Sequence, residues 1–112
     1  MRIAEIISKL NLRIISGQDG LENEITDGYV SDLLSDVIGN AREGEVWITL
    51  QTHQNVIAVA SLKDLSAVII VKGSVPDEDT IKKSNEEGIP VLLTDSDTFT
   101  IAGRLFELLK KE

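Results

Sequence analysis

The sequence predicts a three-layer α/β sandwich: a small, mostly parallel sheet of about four to five strands with helices on both faces. Three observations predict it. The apolar pattern switches repeatedly between a strand period and a helix period. Strand-then-helix pairs follow one another through residues 45–112, an order that calls for parallel pairing through right-handed crossovers. The run Val68-Ile69-Ile70-Val71 is apolar throughout, as a strand covered on both faces should be.

Residues 3–10, IAEIISKL, place Ile3, Ile6, Ile7 and Leu10 on one helical face. LRIIS (12–16) is a short strand, closed by GQDG, a turn by composition. YVSD (29–32) is a brief extended piece, after which Ser31 or Asp32 can cap a helix within residues 31–44. Leu33, Leu34, Val37, Ile38 and Ala41 form its apolar stripe, and Gly44 marks its stop. EVWITLQ (45–51) then leads into QNVIAVASLKDL, AVIIVKG (67–73) into PDEDTIKKSNEEG, and PVLLTD (90–95) into DTFTIAGRLFELLKKE. Pro76 suits a first helical turn, and Asp77, Glu78 and Asp79 favour the positive end of the helix dipole. Glu78–Lys82 and Asp79–Lys83 have the spacing of helical ion pairs. The last helix starts near Asp95 and Asp97 and ends in Lys110-Lys111, again matching the dipole. With no repeat, low-complexity tract or linker in view, residues 1–112 are expected to form one domain.

Composition narrows the function classes. A chain of 112 residues with 42% hydrophobic and 27% charged residues can bury a core without disulfides or metal. Aromatics are only 4%, so that core must come mainly from Ile, Val, Leu and Ala. The absence of cysteine excludes a disulfide framework, a thiolate nucleophile and cysteine-ligated zinc or iron–sulfur centres. The net charge of −8 and the scattered basic residues argue against a nucleic-acid partner. No apolar run approaches the roughly 18–20 residues of a membrane helix, and MRIAEIISKLNL lacks the apolar block of a signal peptide. The expectation is a cytoplasmic protein with no membrane partner.

In open α/β sheets ligands bind beyond the carboxyl ends of the strands. The turns there offer Ser31, Asp32, Thr52, His53, Gly73, Ser74, Thr94 and Asp95 as candidate ligand-binding residues, with Ser96 beside them. His53, the single histidine, is either a general base or phosphate ligand, or a first-turn residue beside an N-cap in which Thr52 accepts from Gln54 or Asn55. Gly73 and Ser74 are either a phosphate loop or an ordinary turn, and the chain contains neither G-x-G-x-x-G nor G-x-x-x-x-G-K-[ST]. Asp95 and Asp97 are either magnesium ligands or the cap and dipole complement of the last helix. The bland reading of each is favoured, so no catalytic residue, metal or cofactor is expected. Residues 54–64 contain VIAVA, apolar on nearly every side, so that helix should be buried all round, one face against either its own domain or a second copy. Trp47 is assigned to the core or to an interface edge.

The stretch from DLLSDVIGNAREGEVWITLQTHQN through VKGSVPDE and EEGIPVL to the Thr-rich start of the final helix resembles a DRTGG domain over nearly the whole chain. The namesake Asp-Arg-Thr-Gly-Gly string is not literally present, and ENEITDG (22–28) is its nearest counterpart. The resemblance implies a three-layer α/β unit similar to the amino-terminal domain of HPr kinase/phosphorylase. Such units are also found attached to some phosphotransacetylases and to pyrophosphatases with nucleotide-sensing CBS domains. It implies a regulatory or oligomerisation module and carries over no catalytic residue.

The leading reading is therefore a non-enzymatic regulatory module. It would act as a homodimer or higher homo-oligomer, through helix 54–64 or the carboxy-terminal helix, and through a protein partner or metabolite. The alternative is a small-molecule sensor whose ligand, an adenine nucleotide for example, sits among Ser31, Thr52, His53 and Ser74. A metal-assisted phosphoester hydrolase using His53 and Asp95 is the remote third.

Overall fold

A computed structural model describes residues 1–111. Its elements are α1 (Ile3–Lys9), β1 (Arg13–Ser16), a 3-10 turn (Gln18–Gly20), β2 (Asp27–Val30), α2 (Leu34–Asn40), β3 (Glu45–Thr49), α3 (Asn55–Leu62), β4 (Ala67–Ile70), α4 (Glu78–Glu87), β5 (Val91–Leu93) and α5 (Thr98–Lys110). The strands form one sheet in the order β1-β5-β4-β3-β2. β2, β3, β4 and β5 run parallel, and β1 is antiparallel to β5 at one edge. The predicted α/β sandwich with a mostly parallel sheet is the observed fold.

The central strands show why the sheet needs two helical layers. Every residue of β3, β4 and β5 is buried. Alternate side chains feed two separate cores. Trp47, Val68, Ile70, Val91 and Leu93 join α2 and α3 on one face, while Val46, Ile48, Ala67, Ile69 and Leu92 join α1 and α5 on the other. Ile3, Ile6 and Leu10 supply the α1 side of the second core, as their spacing predicted. Trp47 belongs wholly to the first core, where its Nε1 donates to the Ser31 carbonyl at 2.8 Å.

Glycine conformation matters at the turn after β1. Gly17 has φ 75°, and a side chain there would collide with the Ile89 carbonyl. Its N–H donates to Asn85 Oδ1 at 2.8 Å, which ties the turn to α4. The inner face of α4 is polar. Ser16 Oγ donates to Ser84 Oγ at 2.9 Å, and Ser84 Oγ donates to the Ile89 carbonyl at 2.6 Å, all in buried surroundings. Gly88, at φ 66°, ends that helix in the left-handed conformation.

Several local expectations change. The helix placed within 31–44 is shorter, and neither Ser31 nor Asp32 caps it: Leu33 occupies the N-cap with no side-chain cap bond. The reason is long-range, because Asp32 is committed to the end of β3. Of the apolar stripe, Val37 and Ala41 are buried, whereas Leu33 and Ile38 are exposed. The β3 and β4 strands stop at Thr49 and Ile70, short of the predicted ends. α3 buries Val56, Ile57, Val59 and Ala60 but exposes Ala58 and Leu62, so it is covered on most sides rather than all round. Its neighbours in that layer, α2 and α4, supply the cover. Glu78–Lys82 and Asp79–Lys83 are not within ion-pair distance. No helix among the described residues is long and apolar enough to cross a membrane.

Candidate functional site

The carboxyl ends of β2, β3, β4 and β5 bring the predicted turns to one edge of the sheet. Most of the polar groups there already have partners. Asp32 Oδ1 accepts from the Leu50 N–H at 2.7 Å and from Thr49 Oγ1 at 2.9 Å, and its carbonyl accepts from Gln51 Nε2 at 2.8 Å. Asp32 is thus a clasp between the ends of β2 and β3. Ser31 accepts from the Leu33 N–H at 3.1 Å through its hydroxyl, and its own N–H donates to the Ile48 carbonyl at 3.3 Å. Hydrogen bonds from Ser31, then Tyr29 and Asn40, hold the Asp36 carboxyl below the ordinary carboxylate range. Tyr29 is shifted upward, first by desolvation and then by its bond to Asp36.

His53 is exposed, and its Nδ1 accepts from the Asn55 N–H at 3.1 Å at the start of α3. The side chain that accepts the Asn55 N–H is therefore that of His53 and not that of Thr52, while Gln54 occupies the N-cap with no side-chain cap bond. Thr52 instead offers its carbonyl to Thr80 Oγ1 at 2.7 Å and to the Asp77 N–H at 3.2 Å, fastening the β3–α3 turn to α4. An Nδ1 that accepts leaves the proton of the neutral ring on Nε2.

After β4 the chain makes two successive left-handed residues, Lys72 at φ 61° and Gly73 at φ 67°. The geometry resembles an anion nest only in outline. The N–H of Lys72 donates to Ser96, that of Gly73 to Thr94 and that of Ser74 to Val71, each to a backbone carbonyl at 2.9–3.2 Å. Thr94 is buried and its hydroxyl accepts from the Ser96 N–H at 3.2 Å. Asp95 faces the Arg13 guanidinium of the antiparallel edge strand, with contacts of 3.3 and 3.4 Å. Asp97 caps α5 by accepting from the Thr100 N–H at 2.7 Å. That backbone bond, with a smaller contribution from Lys72, holds its carboxyl below the usual range. No group of three or more His, Asp or Glu side chains could hold a metal ion among the described residues. The hydroxyls of Thr52 and Ser74 are the least committed of the eight candidates.

Two features of this region escape sequence reasoning. Lys72 carries no glycine-like signal for its left-handed backbone, and Arg13 lies far from Asp95 in the chain. A third lies at the opposite end of the sheet. An open concavity of about 840 Å3 is bordered there by Glu24, Glu43, Asp64 and Glu87, with no Lys or Arg in its lining. Its acidity does not suit a phosphate group. ENEITDG (22–28) runs beside this concavity into β2, with Thr26 Oγ1 donating to the Glu43 carbonyl at 2.9 Å.

Large apolar side chains are also exposed. Val30 ends β2, Leu33, Leu50 and Val75 follow the carboxyl ends of β2, β3 and β4, Phe99 lies in the first turn of α5, and Phe106 lies further along that helix. Phe99 is 89% exposed and Phe106 60%.

Comparison with known proteins supplies the family. No curated protein matches the chain. Among solved structures, the fold is similar to the CBS and DRTGG domains of the regulatory region of Clostridium perfringens pyrophosphatase, complexed with the activator diadenosine tetraphosphate, with a TM-score of 0.72 and 19% identity. The alignment covers 94% of this chain and 45% of that one, so the chain spans less than half of the structure it matches. The DRTGG domain pattern matches residues 5–108. The chain belongs to the DRTGG domain family.

Proposed function

We propose that residues 1–112 act as one regulatory module that works by self-association, without a reaction of its own. The observation that carries this reading is the exposure of Leu33, Leu62, Val75, Phe99 and Phe106, each at least 60% accessible on a chain poor in aromatics. Phe99 and Phe106 share the outer face of α5, and a contiguous exposed apolar patch of that kind marks a contact site. The engagement of His53 and Asp95 in capping and ion pairing supports the non-enzymatic part. Light scattering across a concentration series tests the proposal. A mass of two chains or more at micromolar concentration is expected, and a strict monomer would overturn it.

A second reading is that the module senses a small molecule. The similar pyrophosphatase regulatory region, complexed with a dinucleotide activator, favours it. The committed backbone N–H groups of the 72–74 turn and the acidic concavity weigh against phosphate binding at either end of the sheet. Thermal melting with an adenine nucleotide panel that includes diadenosine tetraphosphate tests this reading. A Tm shift with one nucleotide, abolished in Ser74→Ala or His53→Ala, would establish it, and no shift would remove it.

A further inference from the structure

From the exposed face of α5 we infer that this helix pairs antiparallel with the same helix of a second copy, across a two-fold axis at Ala102–Gly103. The inference rests on the self-association reading and names its surface. Phe99, Gly103, Phe106 and Lys110 stand at i, i+4, i+7 and i+11, so they form one line along the helix. Ile101 and Leu105 face the opposite way, into the core. The two phenylalanines are equally far from the Ala102–Gly103 midpoint, about 5 Å on either side at helical rise.

Gly103 is the second observation. A glycine within a helix weakens it relative to alanine, and a side chain at Gly103 would meet nothing within 4 Å in the chain. No contact inside the protomer therefore accounts for it. A position without a side chain leaves room for a neighbouring chain, as it also does at Gly39 of α2.

Charge complementarity selects a second copy as the occupant. Asp97 is the N-cap of α5 and Asp95 lies in the turn just before it, while Lys110 and Lys111 stand at the carboxyl end. In an antiparallel pair centred at Ala102–Gly103, Phe99 faces the partner's Phe106, and Lys110 comes level with the acidic Asp95–Asp97 segment opposite. The helix dipoles oppose as well. Lys110 holds Asp27 at 3.6 Å and lies 5.3 Å from the Phe106 ring centroid. Both ion-pair partners are half-exposed, so Lys110 is free to exchange onto the partner.

The absence of native cysteine makes a direct test available. In the full chain, Gly103→Cys and, separately, Leu62→Cys on α3 are oxidised at a concentration where the unmodified protein is dimeric. Cross-linking requires Cα atoms within about 7 Å. The expected result is a disulfide-linked dimer for Gly103→Cys and none for Leu62→Cys. Light scattering on Phe99→Glu/Phe106→Glu, with folding checked by circular dichroism and Trp47 fluorescence, should show the mass halved. A dimer that survives this double substitution, or one that links through Leu62→Cys instead, would overturn the α5 interface while leaving self-association standing. A monomeric unmodified protein would overturn both.

Discussion

Trp47 shows how one side chain can hold two jobs. Its ring fills the core beneath α2 and α3, while its indole N–H fixes the Ser31 carbonyl where β2 ends. Trp47→Ala should cost about 3–5 kcal/mol in denaturant unfolding, because it removes a large buried ring and leaves a cavity. Being the only tryptophan and fully buried, it also gives a single fluorescence signal that should move to longer wavelength as the protein unfolds. The Ser16–Ser84–Ile89 chain is the polar counterpart. Ser84→Ala leaves buried polar groups without partners and should destabilise by about 1–3 kcal/mol. Adding Ser16→Ala should recover part of that loss; an additive further loss would refute the network account. The residue scale is also where the sequence was least legible. His53 was readable as a helix-start residue, but the choice between its ring nitrogen and the Thr52 hydroxyl depends on the turn's three-dimensional path. Asp32 and Asp95 looked like caps or ligands because their true partners, the Leu50 N–H and Arg13, lie 18 and 82 residues away.

At the scale of elements, an ionised carboxylate caps α5 and another sits in the first turn of α2. Asp97 caps α5, and Asp36 gathers Ser31, Tyr29 and Asn40 at the start of α2. Both groups have a folded value below the ordinary 3.8. Their contribution is therefore complete above pH about 4 and lost as pH falls through the lowered folded values. Tyr29 acts at the other end: its value is raised above 10.0, so its contribution is complete below that pH and lost as pH rises through the higher folded value. Urea midpoints should fall below pH 4, and Asp97→Asn with Asp36→Asn should flatten that fall; an unchanged acid slope would contradict the assignment. Periodicity made the elements themselves legible. The continuous apolar run in β4 and the Ile face of α1 follow directly from burial. Boundaries were less so, because α2 is cut short by the Asp32 clasp and Lys72 turns left-handed without being glycine. The antiparallel placement of β1 is set by its pairing with β5, which local pattern does not encode.

The whole molecule presents two contrasting ends and one helix, α5, with two exposed phenylalanines on its outer face. One end of the sheet carries an acidic open concavity, and the other an apolar rim over turns whose polar groups are mostly paired. The backbone N–H groups of residues 72–74 are paired within the chain, and the concavity lining holds no Lys or Arg. The apolar line on α5 was only half legible. Its phenylalanines were visible in the sequence, but their exposure depends on which face of α5 meets the sheet. If α5 pairs as proposed, any ligand or partner that binds one association state better will shift the equilibrium toward it. Light scattering on the unmodified protein and on Phe99→Glu/Phe106→Glu, from low to high micromolar concentration, tests this most directly. Two chains per particle are expected for the first and one for the second, with folding unchanged. One chain per particle for the unmodified protein throughout that range would contradict it.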